Sequence, residues 1–377
     1  MALLPSWFTV LLGFAPLPYP FLQALREIEV ECSIGRASIF RLHFELSRTI
    51  TGDFDALTFD IFRPLLPISV AFSHGIPVPQ ILVNGYIKDV QLSMGNTPGS
   101  ARLEVVAMDV LGTKMANVQQ PFPWPNAPDS NIASAIFAKH LVIPLVDPIP
   151  PTRTLLDTVT NQAHYDAPFL MRLAEFYGYD LFVQPDPFTG RDIGHMHRPM
   201  TTFPPQGVLS IDFGSQSNLT DFNMSNDMLK PATVMGTSIE QNTRAPIPAI
   251  APVSTDIPMG LEPSLYRILP PAIAIDPLLE AANPSEAQVR AAAKVTQGSR
   301  NITARGTVDG VKFGRPLRVG LPVLVRGPGL QHNGRYYVDS VTHKISRDNY
   351  QQSFTAWRNA VGWLPTDVFI DPLAAVA

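Results

Sequence analysis

Charge is the scarcest thing in this sequence. Lys, Arg, Asp and Glu make up 16% of its 377 residues, against about 25% in an average soluble domain. A surface so short of charge points to faces covered by partner subunits. The net charge of −4 leaves no basic footprint, which excludes specific nucleic-acid binding of the electrostatic kind. A single cysteine, Cys32, excludes a disulfide framework and a cysteine metal cluster, and suits folding in a reducing compartment. Long apolar runs are missing beyond the N-terminus, so no membrane span is expected. What abounds is proline, 38 residues, which favours loops, sheet edges and short strands over long helices.

The length allows two to four domains. Residues 1–25 are apolar, but the first basic residue is Arg26, and a secretory signal needs a positive start. Pro5, Pro16, Pro18 and Pro20 break any helix long enough to span a bilayer. The stretch reads as an extended apolar arm packing on this protein or on a neighbour.

From Ile28 the pattern has period two. Phe40, Leu42, Phe44 and Leu46 alternate with Ile39, Arg41, His43 and Glu45, the mark of a strand with one buried face. Further strands are expected around Tyr86–Leu92 and Ala101–Asp109, separated by a Gly-Asn-Thr-Pro-Gly turn. They define a first β domain at 26–118, a small antiparallel barrel or sandwich. A Pro-rich linker and a helix follow, with Asp129 or Ser130 as N-cap and a stripe of Ile132, Ile136, Phe137 and His140. A second helix spans Asp166–Tyr177, capped by Asp166, with stripe Phe169, Leu170, Leu173, Phe176, Tyr177 and Gly178 at its end. This α+β region covers 119–205. Strands return around Asn218–Met224 and Pro231–Ile239. The Pro-rich segment 241–284 reads as a long excursion, and a short helix runs from a Ser285 cap to Gly298. Four strands close the sequence: Asn301–Val308, Pro322–Arg326, Gly334–Ile345 and Tyr350–Arg358.

Few residues in the sequence suggest a chemical site. His195 and His197 sit at a spacing that suits metal binding from one strand face, but no third ligand lies near, so a polar loop is the better reading. His140 and His343 lie beside apolar positions and read as packing residues. Asp53, Asp55 and Asp60 cluster in a turn-like stretch, where solvated acids are normal. No nucleophile elbow, zinc-protease helix, phosphate-binding loop or dinucleotide fingerprint occurs. Sequons at Asn218 and Asn301 carry no weight without a signal.

Five motifs nevertheless stand in a telling order. Gln162, Tyr165, Asp166, Phe169, Leu170, Arg172, Leu173, Glu175 and Gly178 form a Gln-Tyr…Asp…Phe-Leu…Arg-Leu…Gly pattern. It resembles the hub segment of VgrG-type spike proteins and phage late control D proteins. Gly334, Tyr336, Val338, Val341 and His343, then Arg358-Asn359, resemble that family's C-terminal strands. "VNGYIKDVQ" and "LEVVAMDVLGTKM" fill the places of two upstream strands. The resemblance covers 26–361.

It implies an α+β, mostly β fold: two related antiparallel β-barrel domains with an α+β domain between them. The first barrel is 26–118, and the middle domain 119–205 plus 241–299. The second barrel is 206–240 plus 300–361, and a tail covers 362–377. It further implies a non-enzymatic baseplate hub of a contractile tail or injection system, assembled in the bacterial cytoplasm. Three copies would form a ring adapting a six-fold inner tube to a three-fold spike. The implied partners are two further copies, the inner tube protein, a spike or spike-tip protein and other baseplate proteins. It implies no catalytic residue, cofactor or metal, and gives the motif residues structural roles. Relatives often continue into a spike, which here would be a separate protein or missing. The alternative is a tail-associated cell-wall hydrolase with an acid pair in 119–205, or a carbohydrate-binding tail protein.

Overall fold

The computed structural model describes residues 7–369 apart from 14, 49–51, 53, 55–60, 74–78, 98, 118–121, 126, 150–159, 240–242, 268–271, 277–278, 280 and 282. Asp53, Asp55 and Asp60 therefore lie outside the described residues. Strands take 45% of the chain and helices 18%, so the mostly β, α+β class holds.

The first β unit has strands β1 (Trp7–Leu12), β2 (Leu25–Ser33), β3 (Ile39–Glu45), β4 (Pro67–Ser73), β5 (Gln80–Ser93) and β6 (Arg102–Met108). They ladder antiparallel in the order β2-β3-β6-β5-β4-β1. Period-two patterning turns Ile28, Val30, Phe40, Leu42, Val105 and Ala107 to one core, as the pleat requires. The described part of the apolar arm belongs to this unit: β1 covers the edge of β4 from Trp7↔Ser73 to Leu12↔Ile68.

The middle region holds helix α1 (Asp129–Lys139), strand β7 (Ile143–Val146), helix α2 (Asp166–Tyr177) and strands β8 (Asp180–Pro185) and β9 (Asp192–His197). The three strands form their own sheet, order β8-β9-β7. Ile132, Phe137, Leu170, Leu173 and Met196 build its core.

Next come β10 (Val208–Ser210), β11 (Leu219–Asn226), β12 (Thr233–Ile239), β13 (Pro246–Ala251), β14 (Ile273–Asp276) and helix α3 (Pro284–Ser299). The chain ends with β15 (Ile302–Asp309), β16 (Pro322–Arg326), β17 (Gly334–Ser346) and β18 (Tyr350–Arg358). β12, β13 and β14 make a separate sheet packed on α3 through Val234, Ile247, Ala249 and Val295. The other strands ladder in the order β11-β15-β18-β17-β16-β10.

Numbered within each unit, both orders read 2-3-6-5-4-1: the chain carries one sheet topology twice. The likeness reaches individual bonds. Strand two has a bulge in both units, at Leu25/Glu27 and at Leu219/Asp221. Strand five has one at Ile87/Asp89 and at Val338/Ser340. Ile87 N–H donates to Leu66 O as Val338 N–H donates to Leu321 O, and Leu65 N–H to Ile87 O as Gly320 N–H to Val338 O. Leu65 and Gly320 share a left-handed backbone, φ 60° and 75°. Only strand one differs: β1 runs antiparallel to β4, β10 parallel to β16. The two units meet through β17 and β2, paired from Ser340↔Ser33 to Ser346↔Glu27.

Several expectations change. The β units are open sheets joined edge to edge. Among the described residues no ladder closes into a barrel, because β2 of the other unit occupies the distal half of β17. The helix caps shift by one or two residues. Pro128 and Tyr165 occupy the N-cap positions of α1 and α2 without side-chain cap bonds, while Asn283 caps α3 by accepting from Glu286 N–H. Asp166 and Ser285 lie inside their helices, leaving Asp166 for another task. The Pro-rich excursion contains β13 and β14, because Ile247, Ala249 and Ala251 alternate into a core that proline hides from a periodicity reading. Thr233–Ile239 pairs in this small sheet rather than in the large one. No helix among the described residues is long and apolar enough to cross a membrane.

Candidate functional site

Most residues of the first motif form one buried polar knot and the stripe beside it. Leu170 and Leu173 are core residues, and Phe169 is buried with them. Arg172 and Glu175 face outward and Tyr165 is partly exposed. Asp166, one turn away from the stripe, is buried at 1% exposure. Its Oδ2 takes hydrogen bonds from Lys139 Nζ at 3.0 Å and His140 Nε2 at 2.6 Å, and its Oδ1 accepts from Gln162 Nε2. Trp124 Nε1 in turn donates to Gln162 Oε1 at 3.2 Å. Burial pushes the Asp166 carboxyl up, but the bonds from His140, Lys139 and Gln162 outweigh it and hold the group below its ordinary value. A buried carboxylate with several donors is a satisfied structural ion. Gly178 ends the helix at φ +69°, where a Cβ would lie 3.1 Å from the Ala293 Cβ of α3. Only glycine fits that approach without strain.

The second motif locks the C-terminal strands. Tyr336 is buried, donates to His332 O at 2.8 Å and lies under the Arg358 guanidinium, 4.9 Å from its centroid. Arg358 is 1% exposed, and its nitrogens donate to the carbonyls of His332, Asn333, Met259 and Gly362. Gly334 sits against it with φ 131°. Asn359 accepts from Met259 N–H at 2.9 Å. Val338 and Val341 are core. His343 pairs with the Tyr350 hydroxyl at 3.0 Å. Burial, then the nearby Arg318, push its imidazole down to about 3.

Sequence reasoning missed the residues that join these motifs. Asp180, at the start of β8, accepts from the Tyr337 hydroxyl at 2.6 Å and lies 3.5 Å from Arg300. Arg300 stacks on Trp357 at 4.6 Å, reaches Asp256 at 3.8 Å and donates to Gly178 O at 3.4 Å. The end of α2 and strand β18 therefore meet through one guanidinium. Burial pushes the Asp180 carboxyl up against the pull of Arg300. Arg318 does similar work for all three parts of the chain: it donates to Ile81 O at 2.9 Å and Pro185 O at 3.3 Å. One signal was available. Arg63-Pro-Leu-Leu-Pro-Ile-Ser-Val and Arg318-Val-Gly-Leu-Pro-Val-Leu-Val repeat, as do Tyr86-Ile and Tyr337-Val, and both pairs hold equivalent places in the two sheets.

Each carboxylate described in 119–205 is engaged within the fold. Asp129 accepts from the Tyr177 hydroxyl, Asp147 from Arg198 N–H, Asp186 from its own turn and Asp192 from Asn84. Glu175 pairs with Arg290. His197 Nδ1 bonds to Arg198 O, so it carries the proton, and its Nε2 accepts from His195 Nδ1 at 3.0 Å. That tautomer spends the pair on each other, and burial pushes His195 down to about 3. No group of three or more His, Cys, Asp or Glu among the described residues is placed to hold a metal ion. Asn218 is buried, its side chain bonded to Ser210 N–H and Val208 O, tying β10 to β11.

No family model and no curated protein matches this sequence. Solved structures do match. A tail protein from Neisseria meningitidis is similar over 95% of this chain and 99% of its own, with TM-score 0.66 and 14% identity. The 43 kDa tail protein of prophage MuSo2 from Shewanella oneidensis covers 95% and 100%, with TM-score 0.67 and 14% identity. The E. coli c3393 protein, a component of the type VI secretion system, covers 92% and 76%, with TM-score 0.53 and 13% identity. The chain has the fold of phage tail proteins and of an injection-system component.

Proposed function

We propose that this chain is a structural component of a phage-type tail or injection apparatus and serves as its baseplate hub. Three copies form a ring that adapts a six-fold inner tube to a three-fold spike. The observation that carries the reading is the repeated 2-3-6-5-4-1 sheet. A chain with two equivalent units presents six of them when three copies close, and six match a six-fold tube. A head-to-tail interface that closes makes such a ring. The likeness in fold to tail proteins over nearly the whole chain supports the same reading. The motif residues Gln162, Asp166, Leu170, Leu173, Gly178, Gly334, Tyr336, Val338 and His343 are then framework that keeps the units in register. The partners are two further copies, the inner tube protein, a spike or spike-tip protein and neighbouring baseplate proteins. Assembly takes place in the bacterial cytoplasm, and no turnover is involved. Light scattering on the purified chain tests this. A particle of three times the 41.3 kDa chain mass agrees with it, and a monomer at high concentration overturns it.

A further inference from the structure

Strand two and strand five make the joint between the units of one chain, and each also occurs once more with its edge open. The distal half of β17 is sealed by β2, and Val341, His343 and Ile345 face Ile28, Val30 and Cys32 there. Apart from the half-buried Cys32, all are at most 1% exposed. The bulges place Asp89 of β5 at the position of Ser340, so residues 89–95 correspond to 340–346. On β11, residues 221–226 likewise correspond to 27–32 of β2. Yet β4 stops pairing with β5 at Tyr86, so the 88–93 stretch is laddered on one side only. β11 ends the large sheet, with β15 on one side and no strand on the other among the described residues. The equivalents of the sealed core are exposed: Val90 40%, Leu92 46% and Met94 56%. Phe222 and Met224 of β11 are half-buried.

We propose that residues 89–95 of β5 pair antiparallel with β11 of a second copy of this chain, repeating between copies the β17–β2 joint found within one. The intrachain register carries over directly. Gln91 faces Ser225, Leu92 faces Met224, Ser93 faces Asn223 and Met94 faces Phe222. Leu92–Met224 and Met94–Phe222 meet on the core side, where Val90 faces Asn226, while Gln91–Ser225 and Ser93–Asn223 meet on the other, and a one-residue slip would scramble this. Strand addition satisfies both open edges at once. Each copy offers one edge of each kind, so the contact is head-to-tail and propagates until a ring closes.

The proposal rests on the ring reading and is tested apart from it. Gln91→Cys and Ser225→Cys lie at exposed polar positions and are made in separate full-length chains. Mixed and oxidised, they form a reducible dimer linked through residues 91 and 225, as peptide mass spectrometry reads it. Either variant alone, or Gln91→Cys mixed with Thr220→Cys, forms none. Met94→Asp shifts the oligomer to monomer with the circular dichroism spectrum unchanged. An intact oligomer without the 91–225 link, or one surviving Met94→Asp, overturns this interface and leaves the ring standing. A chain that is monomeric without any substitution overturns both.

Discussion

Val90 and Val341 hold the same place in the two sheets, yet Val90 is 40% exposed and Val341 is 1% exposed. The difference lies in what covers them: Val341 faces Cys32 of β2, whereas the edge beside Val90 is open. Equal residues in equal backbones should therefore fail differently. Val341→Asp buries a charge and costs several kcal/mol, enough to unfold a marginal chain. Val90→Asp shifts the unfolding midpoint of the monomer by no more than about 0.5 kcal/mol, as surface changes do, and weakens assembly instead. Urea melts of both variants check this. Equal destabilisation would mean that the Val90 edge is already covered in the monomer.

Asp166 gives a stability that depends on acid. Its folded carboxyl titrates below its ordinary value, so its contribution is complete above that value and is lost as pH falls through the folded one. Asp166→Asn keeps the shape but loses the charge shared with Lys139 and His140. It should cost about 1.5–3 kcal/mol at pH 7, the range for hydrogen bonds to charged groups. The gap from the parent chain should shrink near pH 3. Thermal melts at the two pH values decide it, and a gap that stays constant would remove the carboxylate from the account.

Asp109 works in the opposite sense. It accepts from Ser38 N–H at 2.7 Å and Gly112 N–H at 3.1 Å, with no cation bonded to it among the described residues. Burial pushes its carboxyl from 3.8 up to about 7, against the pull of those backbone bonds. Between those values the folded chain holds a proton that the unfolded chain has released. Its contribution is therefore greatest in acid and falls as pH rises to about 7, by on the order of 4 kcal/mol. Asp109→Asn should flatten that slope between pH 4.5 and 7.5 in urea unfolding. Parallel slopes in the two chains would refute the assignment.

Where the sequence was legible, it was legible through period. Alternation at Ile39–Leu46 and the stripe Phe169–Leu173 mark elements that bury one face, and such faces must repeat at the pitch of their backbone. The motif order carried the fold class as well. β13 stayed hidden because proline at 246 and 248 reads as loop, although those positions face outward and only Ile247, Ala249 and Ala251 must pack. The caps were misplaced by one or two residues because any short polar residue near a helix start suits the role. Asp166 belongs to Gln162, Lys139 and His140, and nothing local announces that. Arg300 and Arg318 are illegible for the same reason, since Gly178 and Ile81, to whose carbonyls they donate, lie more than a hundred residues away. The duplication was written in the Arg-x-x-Leu-Pro and Tyr-[Ile/Val] repeats, but short repeats in a proline-rich sequence have little contrast. Topology made them visible.

The duplicated turn before strand four gives the sharpest comparison of all. Leu65 and Gly320 both adopt a left-handed backbone and both donate to the strand-five carbonyl opposite. Leu65 stands in the open, 48% exposed. Gly320 backs onto the middle region, where a Cβ would come within 2.5 Å of the Phe182 ring. Left-handed strain costs a non-glycine residue about 1–2 kcal/mol, and a clash in a packed core adds about 1–3 kcal/mol. Gly320→Ala should therefore cost about 2–5 kcal/mol. Leu65→Gly relieves strain but loses about 0.5–1 kcal/mol to chain entropy, so it should change stability by less than about 1 kcal/mol. Denaturant midpoints of the two variants test the pair together. If Gly320→Ala proved as mild as Leu65→Gly, the contact between the second β unit and Phe182 would not be the close one described, and the rigid seating of the middle region on that unit would fall with it.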